Sequence, residues 1–306
     1  MAGARHVPVL LQEACDFLSL RPGAVVADGT LGAGGHSAAI LERILPGGQL
    51  IGIDRDPLAV EHGRSVFASH GSNVHLVHNN YSNLRAILDS LEIGFLDGIL
   101  LDLGLSSDQL LRSGRGFSFE AEEPLDMRLD PEEETPTAGD IVQRATEVEL
   151  ADILFTLGEE RHSRRIARRI VAARRRGPIR TTRELASIIA AAMPGKRGKI
   201  HPATRSLQAL RIKVNNEISH LELFLGGFYD CLAPGGRAVV ISFHSLEDRL
   251  VKRRFRELAV REGAKLLTRK VVRATDEETR SNPMSRSARL RALERGPHGG
   301  EEDNRA

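Results

Sequence analysis

The nine residues DGTLGAGGH, residues 28–36, contain four glycines and directly follow the apolar run at residues 24–27. A short buried strand that meets a glycine turn and then a helical pattern, here residues 37–44, is typical of nucleotide-binding α/β folds. Glycine has no Cβ, so the backbone can turn sharply and approach a ligand while the next helix presents free N–H groups. The stretch therefore predicts a ligand cradle behind the first strand of a sheet.

Further strand patterns follow the glycine turn. Residues 49–53, 74–78 and 97–103 are predicted as the second to fourth strands, and residues 237–243 as the fifth. The second strand ends on Asp54, where dinucleotide-type folds place an acid that binds ribose hydroxyls. The repeated βα pattern predicts a doubly wound parallel sheet with its ligand in the crevice at the carboxyl ends of the strands.

An insertion interrupts this pattern after Leu103. About 100 residues separate that strand from the helix predicted over residues 203–232, whereas a strand and its helix are usually joined by only a few. Apolar residues in the insertion recur at helical spacing, and residues 115–128 are predicted as an ordered loop. We assign residues 1–107 and 205–295 to the α/β domain, 108–204 to an inserted, mainly helical domain and 296–306 to a disordered tail.

The C-terminal part closes the α/β domain. Ser245 and Asp248 predict a capped helix that runs to about Arg261. Residues 264–272 and 287–293 are predicted as two further strands, separated by a polar stretch. This final helix–strand–strand unit is similar to the closing hairpin of the methyltransferase version of the fold.

Charge is distributed unevenly, although the formal net charge is only +2. Residues 108–160 hold fifteen acids and four basic residues, and residues 161–213 hold sixteen basic residues and one acid. Such a basic block predicts a polyanion partner, with Arg164, Arg168 and Arg175 on one helix face. The alternative is a solvated helix face that pairs with the acidic block beside it.

A second polar face falls on the helix that begins near Thr204. Its members lie three or four residues apart, a spacing that suits contact with RNA or with the domain junction. The alternative is an ordinary core helix. The polar residues are Arg205, Gln208, Arg211 and Asn215.

Several other classes of protein and site are not indicated by the sequence. The two cysteines are far apart and form no metal-spaced pair, and His36, His201 and His244 have no helical ligand spacing, so we predict no metal site. The first residues contain no signal peptide or membrane span. A cytoplasmic protein without membrane contact is expected.

The glycine turn could serve a nicotinamide dinucleotide or S-adenosylmethionine, because both offer ribose hydroxyls to Asp54. The motif lacks a glycine at Ser37, where the third glycine of the dinucleotide fingerprint would lie. Asp102, at the end of the fourth strand, is predicted either to contact the ligand or to cap a helix. A nicotinamide-dependent oxidoreductase therefore stays an alternative to a methyltransferase.

Beyond these patterns, nearly the whole chain resembles the MraW/RsmH family of S-adenosylmethionine-dependent ribosomal RNA methyltransferases. The resemblance lies in HVPVLLQE (6–13), DGT (28–30), GGHS (34–37), IDRDP (53–57), GILLDLG (98–104), RGFSF (115–119), HPATR (201–205) and ISFHSLEDR (241–249). It implies a Rossmann-like class I methyltransferase sheet. It also implies an enzyme that methylates the N4 amine of a cytidine in the decoding region of 16S ribosomal RNA. The implied partner is this RNA or the assembling small subunit, and a homodimer is left open.

By the same resemblance, the cofactor S-adenosylmethionine would contact one set of residues along the chain: Gly34, Gly35, His36, Asp54, Tyr81, Asp102 and Gln109. For the proton released by the amine we consider Asp102, Ser106, Ser107 and His244 as acceptors, from their positions alone. The Asp/Asn-Pro-Pro-aromatic signature of many DNA amino-methyltransferases is absent. A ribosome-assembly factor without enzymatic activity is a third class that the sequence leaves open.

Overall fold

A computed structural model describes residues 8–106, 109–110, 113–120, 122–193 and 201–297. Contacts divide the chain into two compact units, which we call the sheet unit (Met1–Leu105 with Ile218–Ala306) and the helical unit (Ser106–Glu217). Ser107 and most of the predicted tail lie outside the described residues. The helical unit extends further than the predicted insertion, because the helix after residue 203 packs within it.

The sheet unit contains seven strands and seven helices among its described residues. The strands are β1 (Val25–Asp28), β2 (Gln49–Asp54), β3 (Val74–His78), β4 (Leu96–Asp102), β5 (Leu232–Ser242), β6 (Lys265–Leu266) and β7 (Arg289–Glu294). The helices are α1 (Leu11–Leu18), α2 (Gly35–Ile44), α3 (Pro57–Val66), α4 (Leu84–Ser90), α10 (Glu217–Gly227), α11 (Ser245–Arg261) and α12 (Asp276–Ser281).

The strands form one sheet in the order β3-β2-β1-β4-β5-β7-β6. The first five are parallel, and β7 is antiparallel to both of its neighbours. The dinucleotide-binding Rossmann order ends 4-5-6 with all strands parallel, so the inserted antiparallel strand distinguishes this sheet from it. The predicted α/β sheet of the methyltransferase type is confirmed.

The central parallel strands are mostly apolar because both faces of the sheet are covered there. In β4, Leu101 joins the core cluster on one face while Leu100 joins the cluster on the other. Val239 and Val240 of β5 alternate in the same way. This two-sided burial holds the strand ends in fixed register at one edge of the sheet.

The predictions for the C-terminal strands need correction. The strand predicted over residues 264–272 is only Lys265–Leu266, because the Ala292 N–H then donates to the Thr268 hydroxyl (3.0 Å) instead of to a backbone carbonyl. The predicted polar stretch contains α12, which begins at the N-cap Thr275. The cap of α11 is His244, one residue before the predicted Ser245.

The helical unit contains α5 (Ala138–Arg144), α6 (Glu147–Gly158), α7 (Ser163–Arg174), α8 (Thr182–Ala192) and α9 (Thr204–Asn215). The first two begin at reciprocal capping boxes, and Thr181 caps α8. Residues 115–120 and 122–128 form the predicted loop and contain no helix. It is ordered by the buried Arg115, which donates to the Arg128 carbonyl.

The single helix predicted over residues 203–232 is two helices, α9 and α10. Asn216 separates them in a left-handed conformation with φ 49°, which asparagine tolerates better than most residues. Among the described residues, no helix is long and apolar enough to cross a membrane.

Candidate active site

The crevice of the sheet unit lies where the strand order reverses. The chain passes from β1 outward through β2 and β3 and then returns to β4 on the other side of β1. Open α/β sheets bind ligands at this switch point, outside the carboxyl ends of the strands. Three of these strands end on an acid, namely Asp28, Asp54 and Asp102.

Asp28 organises the glycine turn from below and is fully buried. Its carboxylate accepts hydrogen bonds from the Thr30 N–H (3.1 Å) and the Ser37 hydroxyl (2.7 Å). Burial raises the pKa of Asp28, and the nearby His36 opposes this effect. Asp28 was part of the motif used to predict the fold but was not predicted as a site residue.

The turn needs glycine at both of its predicted contact positions. Gly34 has φ +79°, and a Cβ there would lie 3.2 Å from the Phe67 ring. A Cβ on Gly35 would lie only 2.4 Å from Cγ of Pro8. Helix α2 therefore begins within a tightly packed turn, and its first N–H groups have no acceptor inside the helix.

Asp54 hydrogen-bonds the glycine turn from the end of β2. Its two carboxylate oxygens accept from the N–H groups of Gly32 and Asp56, each at 2.8 Å. Burial raises the pKa of Asp54 to about 6, against the effect of these two hydrogen bonds. A carboxylate has about four acceptor sites, so two remain for hydroxyl donors of a ligand.

Asp102 and His36 meet beneath the turn. The His36 Nε2 lies 3.0 Å from the Val9 carbonyl, which can only accept, so Nε2 carries the hydrogen. The Nδ1 atom of the same ring lies 3.7 Å from Oδ2 of Asp102. The Asp102 side chain is 18% exposed, so a ligand in the crevice can reach its carboxyl group.

Thr30 ties the end of β4 to the glycine turn. Its hydroxyl accepts from the Asp102 N–H at 2.7 Å and lies 3.4 Å from the Asp28 carboxylate. Burial raises the pKa of Asp102 to about 6; His36 opposes this shift, and the charges of Asp28 and Glu247 add to it. Thr30 was not predicted as a site residue, since its role depends on a strand about 70 residues away.

His244 is the N-cap residue of α11. Its Nδ1 accepts from the Glu247 N–H at 3.5 Å, and its Nε2 lies 3.0 Å from the Glu247 carboxylate. The same carboxylate accepts from the N–H groups of Phe243 and His244. Only Nδ1 of His244 is hydrogen-bonded within this cap, since the buried Nε2 has no hydrogen-bond partner among the described residues.

Other predicted residues have different surroundings. Tyr81 begins a short 3-10 turn after β3, with its ring edge-on to Phe224 at 5.7 Å. Ser106 and Gln109 belong to the helical unit, where each side chain bonds the backbone N–H of the other (3.0 and 3.1 Å). The Gln109 side chain thus bonds the backbone three residues before it.

Two polar residues of α9 are used inside the helical unit. Arg211 forms a two-fold hydrogen bond with Glu217 at 2.9 and 2.8 Å. Asn215 is buried and bonds the Met127 carbonyl (2.7 Å) and the Leu129 N–H (2.8 Å). These two residues therefore have structural contacts, whereas Arg164, Arg168 and Arg175 of the basic block are exposed, and Arg168 pairs with Glu147 of the acidic block at 3.5 Å.

The free energy of unfolding of the ligand-free protein is expected to depend on Asp102. Because its folded-state pKa of about 6 exceeds the ordinary value near ~3.9, the folded state binds more protons between these pH values, and stability falls as pH rises. Relative to an Asp102→Asn variant, the wild type should lose on the order of 2 kcal/mol between pH 4 and 7. Urea unfolding at a series of pH values measures this difference; a constant difference would contradict the raised pKa.

The chain is similar to known proteins over nearly its whole length. A family model described as the MraW methylase family matches residues 3–296. The chain is 50% identical over 304 residues to Ribosomal RNA small subunit methyltransferase H of Desulforapulum autotrophicum, covering 94% of this chain and 97% of the relative. The protein of the same name from Desulfosudis oleivorans is 47% identical over 309 residues, covering 95% and 99%. A solved rRNA methylase from Streptococcus thermophilus aligns over 95% of this chain and 99% of its own with 11% identity and a TM-score of 0.41, a distant similarity.

Proposed function

This chain belongs to the MraW methylase family, and from that premise we propose that it methylates the N4 amine of a cytidine in the decoding region of 16S ribosomal RNA. The methyl donor is S-adenosylmethionine. The substrate is this RNA, either protein-free or as part of an assembling small subunit. Both curated relatives described above carry a small-subunit rRNA methyltransferase name, which supports the substrate class.

The chemistry of the crevice suits this cofactor. Three buried or largely buried carboxyl groups end β1, β2 and β4, and burial raises the pKa of each. A ligand with a positive charge would offset this cost, and S-adenosylmethionine carries both a sulfonium and an ammonium group. Asp54 has two acceptor sites left for the ribose hydroxyls.

When bound, S-adenosylmethionine supplies a methyl group on a sulfonium that leaves as a neutral thioether, so the methylated amine must release a proton. The residues of the chain must hold the amine in line, because its lone pair is conjugated into the ring. Asp102 would accept the released proton on its carboxylate and stabilise the cationic amine. The observation that supports this role most directly is its partly exposed carboxyl group with a pKa of about 6.

Methyl incorporation provides the direct test of the enzyme class. Purified protein should transfer labelled methyl groups from S-adenosylmethionine to small-subunit rRNA from cells that lack the gene. RNA binding without incorporation would instead support an assembly factor. A thermal shift caused by reduced nicotinamide dinucleotide but not by S-adenosylmethionine would support an oxidoreductase.

The exposed arginines of α7 and its C-terminal flank are expected to bind phosphates of the RNA. Replacing Arg164, Arg168 and Arg175 together with glutamine should reduce the slope of log K against log salt by about 2, because each phosphate contact on single-stranded nucleic acid contributes ~0.7. Filter binding to unmethylated small-subunit rRNA over a range of salt concentrations measures the slope.

The matched control removes three charges elsewhere. In this charge control, Arg21, Arg64 and Arg85 of the sheet unit become glutamine; each is in an ion pair, with Asp97, Glu61 and Asp89 respectively. The control should keep the wild-type slope. An unchanged slope in the α7 variant would exclude this surface from RNA binding.

A further inference from the structure

Helix α11 carries an exposed stripe of positive charge that the preceding proposal does not use. We define the basic stripe of α11 as Arg249, Lys252, Arg253 and Arg256, all of which are exposed. Their spacing of i, i+3, i+4 and i+7 places them on one face of the helix, over about 10 Å of its length. Ser245 and Val260 complete this face, so it contains no acid.

The acids of α11 are all engaged away from the stripe. Glu247 closes the cap at the start of the helix, and Asp248 pairs with Arg291 at 2.7 Å. Glu257 pairs with Arg254 (3.5 Å) and Arg261 (3.1 Å), the two arginines of the helix outside the stripe. Within the part of the chain that the structure describes, no acid forms an ion pair with Lys252, Arg253 or Arg256.

Helix stability does not explain this arrangement. Like charges at i, i+3 and i, i+4 destabilise a helix, and the stripe contains four such pairs. Favourable interaction with the helix dipole is confined to the last turn, which begins after Arg256. A face that serves only solubility usually mixes both signs of charge.

The stripe begins close to the crevice. Helix α11 starts three residues after the end of β5, at the carboxyl edge of the sheet where Asp102 also lies. Arg249 follows one turn into the helix. An RNA strand whose cytidine enters the crevice could therefore continue along α11 with its phosphates on the stripe.

We propose that the basic stripe of α11 is a second RNA-binding surface, which lies on the sheet unit and holds the phosphates of the strand that flanks the target nucleotide. The inference rests on the proposed function, since the polyanion is taken to be the substrate RNA. Phosphate contacts of this kind position the strand and do not read its sequence.

The test replaces Lys252, Arg253 and Arg256 with glutamine, which has a similar helix propensity and removes the repulsion. At about 0.1 M salt the affinity for unmethylated small-subunit rRNA transcribed in vitro should fall about 10- to 100-fold, and the salt slope should fall by about 2. The rate of methyl transfer at saturating RNA should stay near the wild-type value. The charge control defined above should bind as the wild type does.

A second variant separates charge from folding. Arg253→Lys with Arg256→Lys keeps the positive charge and should retain wild-type affinity, while the glutamine variant should unfold at or above the wild-type temperature. Wild-type affinity and slope in the glutamine variant would overturn the inference. Weaker binding to assembled subunits with unchanged binding to protein-free rRNA would also overturn it and would assign the stripe to an acidic protein.

Failure of the proposed function gives a different result. In that case the wild-type protein itself would neither bind nor methylate small-subunit rRNA. If the wild type methylates the RNA and the glutamine variant of the stripe binds it with wild-type affinity and salt slope, the proposed function stands and the stripe assignment is wrong.

Discussion

Replacing Asp54 with alanine is expected to weaken the binding of S-adenosylmethionine by about 100-fold or more, since each hydrogen bond to a charged acceptor contributes about 1.5–3 kcal/mol. The carboxylate keeps two acceptor sites after it has bonded the N–H groups of Gly32 and Asp56. We expect the two ribose hydroxyls to use these sites. Isothermal titration calorimetry of the ligand-free protein with S-adenosylmethionine measures the loss.

A nearby acid provides the control for this experiment. Asp56 is buried and caps α3 by accepting from the Leu58 N–H at 3.1 Å. Asparagine caps helices as well as aspartate does, so Asp56→Asn removes a charge two residues away and should leave affinity near the wild-type value. Affinity of the Asp54→Ala variant within about threefold of the wild type would show that this carboxylate does not hold the ribose.

Replacing Asp102 with asparagine is expected to slow methyl transfer in a single turnover by about 100- to 10,000-fold, which is the range for loss of a general base. Asparagine keeps the shape of the side chain but cannot accept a proton at neutral pH. At subsaturating S-adenosylmethionine, where the rate reports the ligand-free protein, the wild-type rate should fall about tenfold per pH unit below pH 6, since burial raises the pKa of Asp102 to about 6. The residual rate of the Asp102→Asn variant should not show this decrease below pH 6.

Cofactor affinity and single-turnover rate should be measured separately for this residue. A loss of rate with affinity retained supports proton acceptance, whereas a loss of affinity alone supports a cofactor contact. An Asp102→Ala variant in which both quantities stay near the wild-type values would exclude both roles. Asp56→Asn again provides the control for removal of one acidic charge.

The glycine turn and the acids that follow the strands could be predicted from the sequence, because their signals are local. The turn follows its strand directly, and Asp54 and Asp102 are the last residues of apolar runs. Parallel strands bring their carboxyl ends to one edge of a sheet. The position of these residues therefore followed from strand prediction alone.

The contacts between these residues could not be predicted in the same way. The hydroxyl of Thr30 accepts from the Asp102 N–H, and the ring of His36 lies between Val9 and Asp102. Such contacts depend on strand order and on side-chain packing, which periodicity does not report. His244 illustrates the same limit, because a histidine in a specific motif proved to cap a helix.

Long-range contacts also determine whether the polar residues of a helix face are buried and paired or remain exposed. Asn215 lies on what the sequence predicts as a polar face of α9, yet it is buried against Met127 and Leu129, nearly 90 residues earlier. The basic stripe of α11 shows the reverse case. Its charge pattern is visible in the sequence, but only the structure shows that Glu257 and Asp248 pair with residues outside the stripe.

Mass spectrometry of nucleosides from small-subunit rRNA, taken from cells that lack the gene and from cells in which it is restored, tests the proposed function most directly. We expect N4-methylated cytidine from the decoding region to decrease in the cells that lack the gene and to return with the wild-type gene. The gene for the Asp102→Asn variant should not restore it. An unchanged N4-methylcytidine content after loss of the gene, or loss of a methyl group from a different atom or RNA, would contradict the proposal.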